Sequence, residues 1–234
     1  MNYQWAAATH KGRVRTNNED SFAPEASGRG AGPTILMVAD GMGGAVGGEV
    51  ASRLAVEHAF TGPGLPEDRV ARANQAVVER SLSDPGLAGM GTTLTLAELG
   101  ADGIIRLAHV GDSRAYLLRQ GSLQQITDDH TVVAEQLAAG HITPADAATH
   151  PQRSMLTRVL GISNEIEIDS ISVETASGDR LLLCSDGLTG MVEDQRIAEL
   201  LSDGTAEESV WALIEEANKA GGHDNVTVVV VDVE

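Results

Sequence analysis

Cysteine, basic residues and long apolar stretches are all scarce in this sequence, and each shortage excludes a class of protein. Cys184 is the one cysteine among 234 residues, so an internal disulfide cannot form and a reducing compartment, the cytoplasm, is indicated. The longest apolar runs, 181–184 and 226–231, are far shorter than the ~20 residues of a membrane helix. The first residues lack the basic and apolar regions of a signal peptide. We therefore expect no membrane insertion.

Positive charge is scarce relative to negative charge. Lys and Arg number 16 against 34 Asp and Glu, for a net charge of −18. This balance excludes non-specific nucleic-acid binding, which needs a basic surface that displaces counterions. A solvated acidic surface explains most of the charge. Carboxylates that lie close together would instead need a cation to neutralise them.

Short apolar segments separated by Gly or Asp-Gly predict antiparallel strands. The expected strands are 34–39, 92–96, 104–110, 115–118, 123–126, 166–173, 180–184 and 226–233. They do not alternate regularly with helices, so the pattern favours an α+β layered fold over a parallel sheet.

Apolar residues at helical spacing predict two pairs of helices. In the first helix, at about 48–60, Val50, Leu54 and His58 mark one face. In the second helix, Leu82 is the last of the apolar residues at helical spacing. The expected helices are near 48–60, 70–82, 197–201 and 210–217. Residues 131–160 interrupt the β pattern and predict a flap on a single domain that spans residues 1–234.

Three turns that adjoin apolar strands carry an aspartate. Asp40 stands in VADGMGG, Asp186 in LLCSDG and Asp224 in GHDN. Each turn alone is explained by backbone chemistry, because Asp bonds to nearby backbone and Gly accepts positive φ. Together the three carboxylates are the hard oxygen ligands that Mg²⁺ or Mn²⁺ requires, and strand ends can aim them at one point.

A fourth acidic motif, RTNNED at residues 15–20, lies in a locally basic stretch. An exposed charged loop would explain it. The functional interpretation makes Arg15 a phosphate-binding residue beside Glu19 and Asp20, because a guanidinium matches phosphate oxygens with two hydrogen bonds. An acidic protein could bind an anionic phosphoprotein through metals and a few arginines of this kind.

Taken in order, six motifs resemble those of the metal-dependent protein phosphatases (the PPM family, type 2C), in its bacterial branch. They are RxxxED at 15–20, DGMGG at 40–44, GTT at 91–93, GDSR at 111–114, SDG at 185–187 and DN at 224–225. The resemblance runs from about residue 3 to residue 233. It implies a four-layer α-β-β-α sandwich of two antiparallel sheets flanked by helix pairs, with the flap beside the active site.

The resemblance also implies two core ions, Mn²⁺ or Mg²⁺, and a third, weaker one. Asp40 would bridge the core pair, and the Gly41 carbonyl would add a ligand to one of the ions. Asp186 and Asp224 would bind the other ion.

Further residues have implied roles around this pair. Glu19 and Asp20 would act mostly through metal-bound waters. Asp112, together with Asp186, would form the third, weaker metal site. Arg15 would hold the substrate phosphate.

The implied reaction is attack on phosphorus by a bridging water that the metal pair activates near neutral pH. Arg15, Asp40 and Asp186 are the expected catalytic residues. The leaving alkoxide still needs a proton, and animal members of the family have a histidine where this chain has Met42. His130 and His223 are the visible candidates for that donor.

Motifs of other catalytic classes are absent. The glycine-rich stretch 41–48 lacks the Lys-Ser/Thr ending of a P-loop and has Val46 at the third glycine position of a dinucleotide fingerprint. A cysteine-based phosphatase needs Arg six positions after its nucleophile, where Cys184 is followed by Gly190. Residues 111–115, GDSRA, lack the second glycine of a nucleophilic-serine elbow.

The leading hypothesis is therefore hydrolysis of phosphoserine and phosphothreonine on proteins by a cytoplasmic monomer that opposes a bacterial Ser/Thr kinase. One alternative is dephosphorylation of an anti-sigma-factor antagonist, a branch usually attached to sensor domains. Others are a pseudophosphatase that binds phosphoproteins without turnover and a plain calcium-binding protein. Retention of Asp40, Asp186 and Asp224 argues against the pseudophosphatase, and Arg15 is unexplained by calcium binding. The last strand ends at 233, so no anchor or regulatory tail is expected.

Overall fold

Strands make up the centre of the fold. The computed structural model describes residues 1–24 and 27–234. The strands, numbered along the chain, are β1 Tyr3–His10, β2 Asp20–Ala23, β3 Gly28–Gly30, β4 Thr34–Met42, β5 Gly91–Thr92, β6 Leu94–Leu99, β7 Ile104–Val110, β8 Arg114–Arg119, β9 Ser122–Gln125, β10 Asp169–Glu174, β11 Arg180–Cys184 and β12 Val226–Val233.

The helices are α1 Gly44–Thr61, α2 Pro66–Ser83, α3 Val132–Ala138, α4 Pro144–Ala148, α5 Asp186–Thr189, α6 Asp194–Ser202 and α7 Ala206–Lys219. A short 3-10 turn lies at Pro85–Leu87. Of the helices in the described ranges, none is long and apolar enough to cross a membrane.

Two antiparallel sheets form from these strands. The first has the order β3-β1-β12-β11-β8-β9, and the second has the order β10-β7-β6-β4-β2 with β5 paired to the end of β4. The first and last strands of the chain, β1 and β12, pair along their whole length, from Tyr3 opposite Val233 to His10 opposite Val226. The two chain ends therefore belong to one sheet.

Three apolar layers hold the sheets and helices together. Alternate residues of β12 contribute to two of these layers. Val229 and Val231 belong to the core between the sheets, while Val228 and Val230 face the core under α6 and α7. The other sheet packs its outer face against α1 and α2. Because strand side chains alternate between faces, a valine-rich strand can serve both layers. The predicted four-layer α-β-β-α sandwich is confirmed.

The buried face of α1 differs from the prediction. Ala51, Ala55 and Ala59 are fully buried, whereas Val50 and Leu54 only flank that core. Small side chains let the helix backbone approach the sheet closely, so the alanine stripe rather than the larger residues faces inward.

Leu82 was also expected on a core face, and this expectation is wrong. Its side chain is 79% exposed near the end of α2. It follows Val77 by five residues, and a five-residue step turns well away from the buried face of a helix with 3.6 residues per turn.

The predicted flap region, 131–160, contains α3 and α4 and is tied at both ends. Thr131 bridges to Leu156, and Leu160 bridges to Thr92 in β5. The expected strand at 166–173 begins only at Asp169, because Ile166 and Ile168 pack against the α1–α2 core instead of extending the strand.

Candidate metal centre and active site

Carboxylates from both sheets meet at one end of the sandwich. Asp20 and Asp40 are register partners on β2 and β4. Asp112 follows β7, Asp186 begins α5 directly after β11, and Asp224 comes just before β12. A cleft of about 620 Å³ is lined by residues that include Arg15, Glu19, Asp40, Gly41, Asp112, Asp186 and Asp224. The fold thus brings the acidic motifs of the sequence to one place.

The GTT motif holds the backbone of Asp40. The Asp40 amide donates to Thr93 Oγ1 at 2.9 Å, and its carbonyl accepts from the Thr93 amide at 2.9 Å and from Thr92 Oγ1 at 2.8 Å. Thr93 Oγ1 lies 2.8 Å from Ser113 Oγ, beside Asp112. These bonds fix Asp40 and the Asp112 turn relative to each other, a role that the sequence analysis did not assign to the threonines.

Asp20 lies deeper than the other carboxylates of the site. Its Oδ2 accepts from Ser185 Oγ at 2.7 Å and from Thr227 Oγ1 at 2.6 Å. Its Oδ1 is buried and has no hydrogen-bond partner among the described residues. Burial raises the pKa of Asp20 to about 7, and nearby Asp186 adds to this against the two hydroxyl bonds.

Asn225 ties the loop that carries Arg15 and Glu19 to the start of β12. Its Oδ1 accepts from the Glu19 amide at 2.8 Å, and its Nδ2 donates to the carbonyls of Asn17 at 2.8 Å and Lys11 at 3.0 Å. The Asp-Asn motif therefore supplies one carboxylate for the cleft and one amide that positions the facing loop.

Gly41 allows the start of α1 to pack against the Asp40 turn. A Cβ at Gly41 would lie 2.1 Å from the Gly48 carbonyl oxygen and 2.6 Å from the Glu19 carbonyl oxygen. Only a residue without a side chain permits this approach. The glycine-rich stretch thus serves close backbone packing at the cleft.

Burial and mutual repulsion disfavour the ionised form of the clustered carboxyls. Burial, then Asp20, Asp186 and Asp112, raise the pKa of Asp40 well above its usual range. Burial and then Asp186 raise the pKa of Asp112 to about 7, and burial and then Asp224 raise that of Asp186. So many buried like charges cannot all ionise unless a cation compensates them.

The donor set fits a divalent cation. Asp20 Oδ1 and Asp186 Oδ1 are buried carboxylate oxygens without a hydrogen-bond partner in the described part of the chain, and such oxygens are the ligands that Mg²⁺ and Mn²⁺ prefer. Across residues 1–24 and 27–234, however, no three His, Cys, Asp or Glu side chains already lie close enough together to hold a metal ion.

Arg15 contacts a carboxylate of the cleft. Its Nη2 donates to Asp224 Oδ2 at 2.6 Å, and the two side chains are 55% and 36% exposed. An ion pair this exposed contributes at most about 1 kcal/mol, so an anion entering the cleft could compete with Asp224 for the guanidinium. The phosphate-binding role of Arg15 stays a prediction.

The two histidines that were candidates for proton donation do not line the cleft in the described residues. His130 is buried, with its ring nitrogens facing Gly111 and Asp169, and His223 is exposed beside Gly221. Met42 does line the cleft, and its thioether has no proton to give.

Comparison with known proteins agrees with this geometry. A model of the family "Protein phosphatase 2C" matches residues 9–209. The serine/threonine protein phosphatase PstP of Mycobacterium tuberculosis is 46% identical over 98% of the chain and 45% of its own length, so the chain spans about half the length of this relative. The serine/threonine phosphatase stp of Listeria monocytogenes is 39% identical over 96% of the chain and 93% of its own length.

A crystal structure of the PstP catalytic domain in complex with two manganese ions is also similar. It matches with a TM-score of 0.85 and 41% identity over 99% of the chain and 98% of that structure. The family model covers most of the chain, and the relatives exceed 30% identity along nearly all of it. The predicted family is therefore confirmed: this chain belongs to the protein phosphatase 2C family.

Proposed function

We propose that the chain hydrolyses phosphoserine and phosphothreonine in proteins, with two Mn²⁺ or Mg²⁺ ions held by the carboxylate cluster. The observation that carries the proposal is the convergence of buried, mutually repelling carboxylates from both sheets on one cleft, with Arg15 at its edge. The activity named for the relatives PstP and stp supports the reaction class. The two manganese ions in PstP support the cofactor.

The core ligands in this proposal are Asp40, the Gly41 carbonyl, Asp186 and Asp224. All four residues line the cleft. When bound, the cations lower the pKa of water and offset the charge that develops on the phosphoryl oxygens. Asp40 is well placed for the central position, because its backbone is fixed through Thr93.

The outer ligands are Glu19, Asp20 and Asp112. The two hydroxyl bonds on Asp20 Oδ2 leave its other oxygen to face the cluster. Asp112 is the proposed ligand of the third, weaker ion, and it is close enough to Asp186 for that carboxylate to contribute to its raised pKa. Arg15 would leave Asp224 and bind the substrate phosphate with two hydrogen bonds.

We extend the proposal to the biological setting. The substrates are phosphoproteins, the enzyme opposes a Ser/Thr kinase as a cytoplasmic monomer, and residues 1–234 form one catalytic domain. The core between the sheets, which takes residues from Tyr3 to Val233, supports the single domain. The single, buried Cys184 supports a reducing compartment. Light scattering of the purified protein tests the monomer.

The test of the activity is hydrolysis of p-nitrophenyl phosphate and of a phosphothreonine peptide with Mn²⁺, Mg²⁺, Ca²⁺ or chelator. We expect turnover with Mn²⁺ or Mg²⁺ and none with chelator. Asp186→Asn should abolish turnover and Asp112→Asn should only impair it. Asp102→Asn is the matched control, since Asp102 is an exposed carboxylate paired with Arg106. Activity that survives chelation, or no activity with any metal, would overturn the proposal.

A further inference from the structure

Two buried segments exchange hydrogen bonds immediately beside Asp112. The His130 amide donates to the Gly111 carbonyl at 2.8 Å, and the Gly111 amide donates back to His130 Nδ1 at 3.1 Å. One of these bonds uses the imidazole rather than the backbone of His130. The turn that carries Asp112 is therefore held by a side chain from a distant part of the chain.

The partners of the His130 ring define its tautomer. Since Nδ1 accepts from the Gly111 amide, the proton of the neutral ring is on Nε2. Nε2 lies 3.1 Å from Asp169 Oδ2 and 3.2 Å from Arg158 Nη1. With the proton on Nε2, both of these nitrogens act as donors to Asp169, and Arg158 Nη1 donates to its Oδ1 at 2.8 Å. Asp169 thus keeps the Nδ1 lone pair directed at Gly111.

A second buried imidazole supports the same segment. His109 Nε2 lies 3.0 Å from the Asp128 carbonyl oxygen, and the His109 and His130 ring centroids are 4.8 Å apart. His109 is fully buried, and burial lowers its pKa to about 4. It therefore stays neutral near pH 7 and acts as a spacer and hydrogen-bond donor.

The Asp112 turn depends on such support because of the backbone at Gly111. Its φ is +114°, and a Cβ there would lie 2.5 Å from Thr93 Cβ. Because glycine lacks a Cβ, its backbone can adopt many conformations, and hydrogen bonds from neighbouring segments are needed to hold Gly111 in this one. The His130 carbonyl also accepts from the Thr157 amide at 2.9 Å, which joins the turn to the far end of the flap.

We propose that His130 is a positioning residue whose Nδ1 fixes the turn that presents Asp112 to the cleft, with Asp169 setting the tautomer. The inference rests on the proposed function in one respect, since it takes Asp112 as a ligand of the weaker cation. It differs from proton donation by His130, because the Nε2 proton is directed at Asp169 and away from substrate.

The test uses two substitutions that separate the ring nitrogens. In His130→Asn the amide oxygen takes the place of Nδ1 and can still accept from Gly111. In His130→Gln the amide reaches toward the Nε2 position and contacts Asp169 instead. Both remove the buried ring, so a general packing role predicts equal effects. His141→Asn is the control, because His141 is an exposed histidine of the flap whose amide bonds to the backbone of Gln136.

The first readout is amide hydrogen exchange at Gly111 in metal-free protein, followed by NMR. We expect exchange to accelerate about tenfold in His130→Gln, as loss of one hydrogen bond implies, and to change little in His130→Asn and His141→Asn. Nitrogen NMR of unsubstituted protein gives a check that needs no variant. His130 should be protonated at Nε2, and protonation at Nδ1 would overturn the inference.

The second readout is Mn²⁺ binding by calorimetry, with Asp112→Asn defining the weak site. His130→Gln should weaken that site about 10- to 100-fold, as loss of a residue that orients a ligand does, and His130→Asn should largely preserve it. Equal losses in both variants, or an unchanged weak site in His130→Gln, would overturn the inference. So would a weak site that survives Asp112→Asn. None of these results affects Mn²⁺-dependent hydrolysis by wild-type protein, whose absence would overturn the proposed function instead.

Discussion

Replacing Asp20 by Asn should stabilise the metal-free protein at pH 8 while weakening its function. Burial raises the pKa of Asp20 from 3.8 to about 7, a difference equivalent to about 4 kcal/mol. Asn keeps an oxygen for Ser185 and Thr227, but it places an NH₂ group where Oδ1 has no partner, at a cost of about 1–3 kcal/mol. The expected net gain in the free energy of unfolding is about 2 kcal/mol, or roughly 4–8 °C in Tm for a domain of this size.

The sign of the pH dependence follows from the raised pKa. Below the unfolded value the Asp20 carboxyl is protonated in both states, and its protonated form is accommodated in the fold. That stability is lost progressively between 3.8 and about 7, because over this range the unfolded chain releases the proton and the folded state retains it. At pH 5 about 1.6 kcal/mol has been lost, which roughly offsets the cost of the unpartnered NH₂ group. The advantage of Asp20→Asn should therefore be near zero at pH 5 and complete at pH 8.

Thermal unfolding with EDTA at pH 5 and pH 8 measures the effect, and Mn²⁺ at pH 8 should reverse it because the wild-type carboxylate favours the cation. Asp102→Asn is the control. Hydrogen bonding to Arg106 lowers the pKa of that exposed carboxyl, so its replacement should bring no gain at pH 8. If metal-free Asp20→Asn melts below wild type at pH 8, the burial argument is refuted.

Three further predictions follow from the cleft. Arg15→Ala should raise KM for a phosphothreonine peptide about tenfold or more with little change in calorimetric Mn²⁺ affinity; a lower Mn²⁺ affinity would mean that its contact with Asp224 matters more than phosphate. Met42→His should raise kcat for phosphopeptides, by less than the roughly 10²–10⁴-fold that a well-positioned general acid contributes, without speeding p-nitrophenyl phosphate, whose leaving group needs no proton; equal effects on both substrates would exclude proton donation. Gly111→Ala should cost roughly 2–4 kcal/mol in urea unfolding, because its φ is +114° and the new Cβ meets Thr93; a loss below about 0.5 kcal/mol would contradict this strain.

Strands with dense apolar sequence were predictable to the residue. The expected boundaries 104–110, 180–184 and 226–233 coincide with β7, β11 and β12. Each is rich in Val, Ile or Leu and bounded by turn residues, so local propensity and burial agree.

The first strand was not predicted, because its signal is not local. Tyr3–His10 contains three alanines, which favour strands weakly. It becomes a strand through pairing with β12 on one side and β3 on the other. Partners more than 200 residues away in sequence cannot be inferred from the composition of eight residues.

Sequence alone determined the family and the set of acidic motifs, since each motif is a short run of residue types whose order can be read directly. Tertiary structure decided which of these groups are buried and what they contact. It placed Asp20 beneath the cleft on the hydroxyls of Ser185 and Thr227, and it turned Arg15 toward Asp224. It also set His130 behind the Asp112 turn. The physical reason is that burial, desolvation and hydrogen-bond partnership arise between segments that only folding brings together, so the motifs themselves do not contain them.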